Sequence, residues 1–218
     1  MLHELLEDEV NALYDAFAAT HPGVLHSCPC CTDRAAFEEL AEYDVRDAPS
    51  HLLDMYVSEA VGTAGEARDF RYYLPRILEL TLREEQGFYP ARHAATVRYT
   101  VLSSWSDSHQ RALLDFYHAV IQCMIEWEYF DTLADWICAM ATSECDIKPV
   151  LNTLETSPAA AVAFFAANVP GINVGRLQGL WERDSFEHQA VVEWFYSPAV
   201  RKLLHDSFGI CLPTWKLN

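Results

Sequence analysis

The stretch from Asp107 to Ile125 constrains this chain most. Asp107-Ser108-His109-Gln110 has the form of a capping box, in which a first polar side chain and one three residues on satisfy free amides at a helix start. Leu113, Leu114, Phe116, Tyr117, Val120, Ile121, Met124 and Ile125 follow. Together they cover too much of a helical circumference for a surface helix, so a central, mostly buried helix is expected.

Helical spacing recurs along the rest of the chain. Leu6, Val10, Leu13 and Phe17 describe a first helix that Thr20-His21-Pro22-Gly23 stops. Thr32 or Asp33 can cap a second helix carrying Phe37 and Leu40, and Ser50 a third carrying Leu52, Leu53, Tyr56 and Val57, closed by Gly62. Residues 66–85 are expected as two helical pieces broken or bent at Pro75, because proline removes an amide and clashes with the preceding turn. Pro90 opens another helix through about Leu102, and Asp131 caps one bearing Leu133, Trp136, Ile137 and Met140. Ser157-Pro158-Ala159 and Ser197-Pro198-Ala199 each place a capping serine before a proline at the first helical position. No segment alternates as a strand between hairpin turns, and Asn-Gly and Asp-Gly pairs are absent. The expectation is an all-α protein of about 9–11 helices over residues 1–218, a single-domain bundle or a short irregular helical-repeat array.

With 51% hydrophobic and 12% aromatic residues, 218 residues suffice for a sizeable core. No apolar run reaches the roughly 18 residues of a membrane span, and the acidic start Met1-Leu2-His3-Glu4 lacks the basic region of a secretory signal. Seven cysteines, an odd number, fit reduced thiols in a cytoplasm better than a disulfide framework.

The net charge of −17 is unevenly placed, for residues 1–70 hold 15 Asp and Glu against 3 Lys and Arg. Such a field repels nucleic acid and anionic lipid and speeds the approach of basic partners. Among those acids Glu4, Asp8, Asp15, Glu38, Glu39 and Glu42 are the expected partner-binding residues.

One local cluster has chemistry of its own. His21-Pro22-Gly23-Val24-Leu25-His26-Ser27-Cys28-Pro29-Cys30-Cys31 holds three thiols and two imidazoles. Cys28 and Cys31 have the gap that lets two sulfurs reach one zinc ion, with His26 and Cys30, or His21, to complete the set. No second ligand pair with recognisable spacing follows. The same cysteines could exchange disulfides, although the strand–helix setting of thioredoxin-type sites is missing, or simply pack as a compact loop around Pro29.

Other patterns are less specific. His3-Glu4-Leu5-Leu6-Glu7 has a glutamate where a zinc-protease helix needs its second histidine, and Glu-x-x-His does not occur. Asp115 and His118 fall on one side of the central helix, where a hydrogen-bonded polar pair is expected. Phe70-Arg71-Tyr72-Tyr73-Leu74-Pro75-Arg76 reads as core aromatics with arginines pairing to local acids. Glu126, Glu128, Asp131 and Asp135 read as caps and helix-dipole partners between two helices. Phosphate-binding, dinucleotide-binding and nucleophile-elbow motifs are absent.

The succession Cys28-Pro29-Cys30-Cys31, Phe70 to Leu80, Trp105 with the long helix, and Asp135-Trp136-Ile137-Cys138-Ala139 resembles a group of uncharacterised bacterial all-helical proteins. The likeness spans residues 20–145. It implies a bacterial, helical, cytoplasmic protein and brings no activity with it. The residues and charge together lead to a non-enzymatic protein-binding protein. Its specific form would be an immunity protein that covers the basic active site of a toxin, with no cofactor, nucleic acid or membrane involved. A zinc- or thiol-dependent protein centred on His21–Cys31 and a helical scaffold are the alternatives.

Overall fold

Apolar residues at helical spacing along the chain give twelve α-helices and one 3-10 turn among the described residues. The computed structural model describes residues 2–30, 32–172, 177 and 185–212, the side chains of 169–172 excepted. No strand forms among them, and the only ladder-type contacts are the isolated bridges Ser27–Ala64 and Ala60–Ala64. The all-α class is as expected. The chain divides into two compact units, Met1–Phe116 and Tyr117–Asn218.

The first unit contains α1 (Leu2–Leu5), α2 (Glu7–Ala16), α3 (Arg34–Leu40), α4 (Ser50–Glu59), α5 (Ala67–Leu82), α6 (Pro90–Tyr99) and the 3-10 turn Leu102–Ser104. Asp33 caps α3 as expected, its carboxylate accepting from the amides of Ala35 and Ala36 at 3.1 and 3.3 Å. At α4 the cap position falls on Pro49, and Ser50 is already helical.

Helix α5 runs through Pro75 without the break into two pieces that was one form of the expectation. Proline inside a helix costs about 3 kcal/mol. Phe70, Tyr73, Leu74, Ile77 and Leu78 are all buried to 1% exposure or less around it. Each such side chain contributes about 1.5–3 kcal/mol, so tertiary burial outweighs the local penalty. Against this helix pack α2, α6 and α1. Tyr73 sits edge-on to Tyr56 and Tyr72, with ring centres 5.4 and 4.9 Å away.

Helix α7 (Asp107–Glu126) runs across the division between the units. Its cap is Ser106, one residue earlier than expected, whose hydroxyl accepts from the His109 amide at 3.3 Å. Leu113, Phe116, Tyr117, Val120, Ile121 and Met124 are buried, and Leu114 and Ile125 partly so.

The second unit continues with α8 (Leu133–Thr142), α9 (Lys148–Glu155), α10 (Pro158–Ile172), α11 (Phe186–Tyr196) and α12 (Pro198–Phe208). Asp131 is not the cap of α8; that position is Thr132, which makes no side-chain capping bond. Both Ser-Pro-Ala starts hold, and the Ser197 hydroxyl accepts from the Val200 amide at 3.2 Å. Helices α9 and α11 go beyond the sequence expectation. Helix α10 packs on α8, α9 and α12, and Phe164 stacks on Phe195 with centres 5.3 Å apart. No single described helix is long and apolar enough to cross a membrane; α9 with Pro158–Asn168 has the length and composition only as a pair, bent by 118°.

Three helices end on a glutamate in the left-handed region that favours glycine. Glu84, Glu128 and Glu144 have φ of 55, 53 and 61°. In each case the next amide reaches back five residues, Glu85 to Leu80, Tyr129 to Met124 and Cys145 to Met140, at 3.1, 2.8 and 3.1 Å. Helix α12 ends on Gly209 at φ 67°.

Candidate functional site

Within the first unit the end of α2, the segment from Asp44 to Asp47 and the middle of α5 enclose a pocket of about 390 Å³. Its walls are aromatic. Tyr14 and Phe17 point inward from α2 because the helical spacing that buries Val10 and Leu13 carries them to the same face. Tyr72 comes from α5, its hydroxyl accepting from the Val45 amide at 3.1 Å. The Arg46 guanidinium lies over the Tyr14 ring, 3.8 Å from its centre, and also donates to Asn11 at 3.0 Å.

The rim is acidic. Asp15, Asp44 and Asp47 line the pocket and are exposed, and among the described residues none of their carboxylates forms an ion pair or hydrogen bond. Of the three basic residues of the first seventy, Arg46 lines the pocket with its guanidinium held by Tyr14 and Asn11, and the other two are engaged elsewhere, Arg34 with Glu38 and Arg68 with Glu66 and Asp69.

Outside the pocket lining, Tyr14 is held by Glu79. Its carboxylate accepts from the Tyr14 hydroxyl, Arg76 and Arg83, each at 2.7 Å, and His3 Nε2 lies 3.4 Å away. Burial alone would raise the Glu79 pKa, but the bonds from Tyr14 and Arg76 and the charges of Arg76 and Arg83 outweigh it and hold the carboxyl below its usual range. The Tyr14 phenol is pushed well up, by burial first and by Glu79 second. An ionised carboxylate with several charge-assisted donors is rigid, so Tyr14 presents a fixed wall.

The six acids expected at a partner surface are all exposed. Only Asp15 belongs to the pocket. Glu38 is paired with Arg34 at 2.7 Å. Glu4 and Asp8 lie on α1 and α2, Glu39 on α3, and Glu42 in the turn after it. Asp44, Asp47 and Tyr14 were not singled out from the sequence, and Tyr72 was expected only as a core aromatic. The only local signal of Asp44 and Asp47 is that they flank an arginine in a run of acids.

No family model, curated protein or solved structure matches this chain.

The cysteine–histidine loop lies in the same unit, fastened to the turn after α4. The Cys28 amide donates to the Thr63 carbonyl at 2.8 Å and the Gly65 amide to the His26 carbonyl at 2.7 Å. Cys28 and Cys30 bring their sulfurs to 3.1 Å. His26 is exposed, and Cys31 lies outside the described residues. His21 is turned to other work: the Gly23 amide donates to its Nδ1 at 3.0 Å, so Nε2 carries the proton and donates to the Tyr43 carbonyl at 3.1 Å. Among the described residues no three His, Cys, Asp or Glu side chains converge on a point where a metal ion could sit.

The remaining sequence patterns resolve into structure. Phe70 and Tyr73 are core residues and Arg76 pairs with Glu79, as expected, but Arg71 lies over the Trp105 ring at 5.8 Å and has no ion pair with an acid among the described residues. Asp115 does not pair with His118: Asp115 is exposed, and the buried His118 Nε2 has no hydrogen-bond partner among the described residues. Glu126, Glu128, Asp131 and Asp135 are all exposed, and Gln122 donates to Glu126 at 2.8 Å.

Proposed function

We propose that this chain is a non-enzymatic binding protein that engages a basic protein partner through the acidic pocket of its first unit. The observation that carries this reading is the combination of three unpaired rim carboxylates, Asp15, Asp44 and Asp47, with aromatic walls from Tyr14, Phe17 and Tyr72. A lysine or arginine side chain of the partner suits such a site twice over. Its charge meets the carboxylates, and its flat or aliphatic part lies on the rings, as the chain's own Arg46 does on Tyr14. A volume of about 390 Å³ is near the low end for ligand pockets, in keeping with one or two side chains and not a large cofactor. The surplus acid of residues 1–70 would speed the encounter. The specific form of this function is immunity: a protein that covers a toxin's basic active site needs a complementary surface and fast association, and no catalytic groups.

The test uses the full chain and an oligoarginine peptide. Wild-type protein is expected to bind it and to weaken steeply with salt, and Asp15→Asn, Asp44→Asn and Asp47→Asn together are expected to lower the affinity at least tenfold with unchanged helicity. Equal binding by the triple variant would remove the pocket from the reading. A pull-down from the native cells that recovers no basic protein would remove the partner.

A further inference from the structure

The pair Cys28 and Cys30 is not used by the acidic pocket, and it differs from every other described thiol. Cys123, Cys138 and Cys145 are buried, and burial pushes the Cys145 thiol up to about 12, where it is inert. Cys211 is exposed on the C-terminal segment. Cys30 is exposed and Cys28 partly so, with their sulfurs 3.1 Å apart. That is closer than two unbonded sulfurs ordinarily pack, and well outside the roughly 2.05 Å of a formed bond.

The backbone holds this approach in place. Residues 29 and 30 form a turn whose direction Pro29 restricts. On its N-terminal side Cys28 is fixed by the bond to Thr63 and the bridge of Ser27 to Ala64. Its carbonyl accepts from the Thr32 amide at 3.3 Å and the Thr32 hydroxyl at 2.7 Å.

We propose that Cys28 and Cys30 form a thiol–disulfide exchange couple for low-molecular-weight disulfides. The Cys30 thiolate attacks one sulfur of a disulfide R–S–S–R. That S–S bond breaks, one thiolate leaves and takes a proton from water, and a mixed disulfide remains on Cys30. Cys28, its proton lost to solvent, attacks the Cys30 sulfur and expels the second R–S⁻, which is protonated in turn. Two protein thiols are oxidised to one disulfide, and one small disulfide is reduced to two thiols. An exposed bridge across a single intervening residue belongs to the labile class, so the couple runs in both directions.

The experiment equilibrates the full chain across glutathione buffers from fully reduced to fully oxidised, then quenches, alkylates and maps peptides by mass. A Cys28–Cys30 link is expected to rise with oxidised glutathione and to persist in Cys31→Ser. In Cys30→Ser that link is lost, and Cys28 is expected to carry glutathione instead. The proposal is overturned if Cys28 and Cys30 are both alkylated at the most oxidising poise. It is equally overturned if each carries glutathione without a link, or if Cys31→Ser abolishes the bridge. The wild-type and Cys31→Ser measurements decide the matter even where Cys30→Ser does not fold.

Discussion

The Glu79 carboxylate gathers three charge-assisted or phenolic donors inside the first unit. Hydrogen bonds to a charged group are worth about 1.5–3 kcal/mol, and breaking a buried pair costs about 3–5 kcal/mol. Glu79→Gln keeps one acceptor and loses the charge, so a loss of about 2–4 kcal/mol is expected in urea unfolding. The pH dependence has a definite sign. A carboxyl held below its usual range in the folded state adds stability that is complete above about pH 4.3, the ordinary glutamate value, and disappears as pH falls through the folded value. In that window the unfolded chain binds more protons. Wild type and Glu79→Gln should therefore differ most at neutral pH and converge in acid. A constant gap down to pH 3 would mean that the cluster does not titrate as described.

At the scale of elements, stability is left unclaimed at three helix ends. A left-handed residue with a Cβ costs about 1–2 kcal/mol, and an anion at a helix C-terminus a further 0.3–1 kcal/mol or so. Glycine there returns about 0.5–1 kcal/mol to the unfolded chain as entropy. Glu84→Gly, Glu128→Gly and Glu144→Gly should each stabilise by about 1 kcal/mol, read as a higher urea midpoint at unchanged slope. The same scale separates what the residues announce from what they do not. Asp33 and Ser197 were legible as caps because a cap is satisfied within three residues. Pro75 does not break α5, because its cost is local and the burial that outweighs it comes from elsewhere in the unit. The pocket was out of reach for the same reason: Tyr14, Asp44 and Tyr72 meet only after α2 and α5 have packed, and no spacing along the chain encodes that meeting. Of the expected partner-facing acids, Asp15 alone lies there.

For the molecule as a whole, salt should act in two opposite directions. The first seventy residues carry a net charge of −12 and their cations are already engaged, so the folded unit repels itself. Raising salt from about 0.1 to 1 M shortens the screening length from about 10 to 3 Å. Melting temperature should rise by a few degrees, roughly what 1 kcal/mol gives in a chain of this size. Oligoarginine binding should weaken over the same range. If both quantities moved together, self-repulsion would not be the dominant surface effect.

Glu84, Glu128 and Glu144 have a use beyond their own energetics. Most substitutions destabilise, and in a protein with a thin margin a lost activity cannot be told from a lost fold. All three glutamates are exposed and none lines the pocket. A chain carrying glycine at these positions would have mutational headroom of about 3 kcal/mol if the three gains add. On that background each residue of the pocket could be exhaustively varied, and the variants that lose binding would be read as recognition mutants rather than casualties of folding.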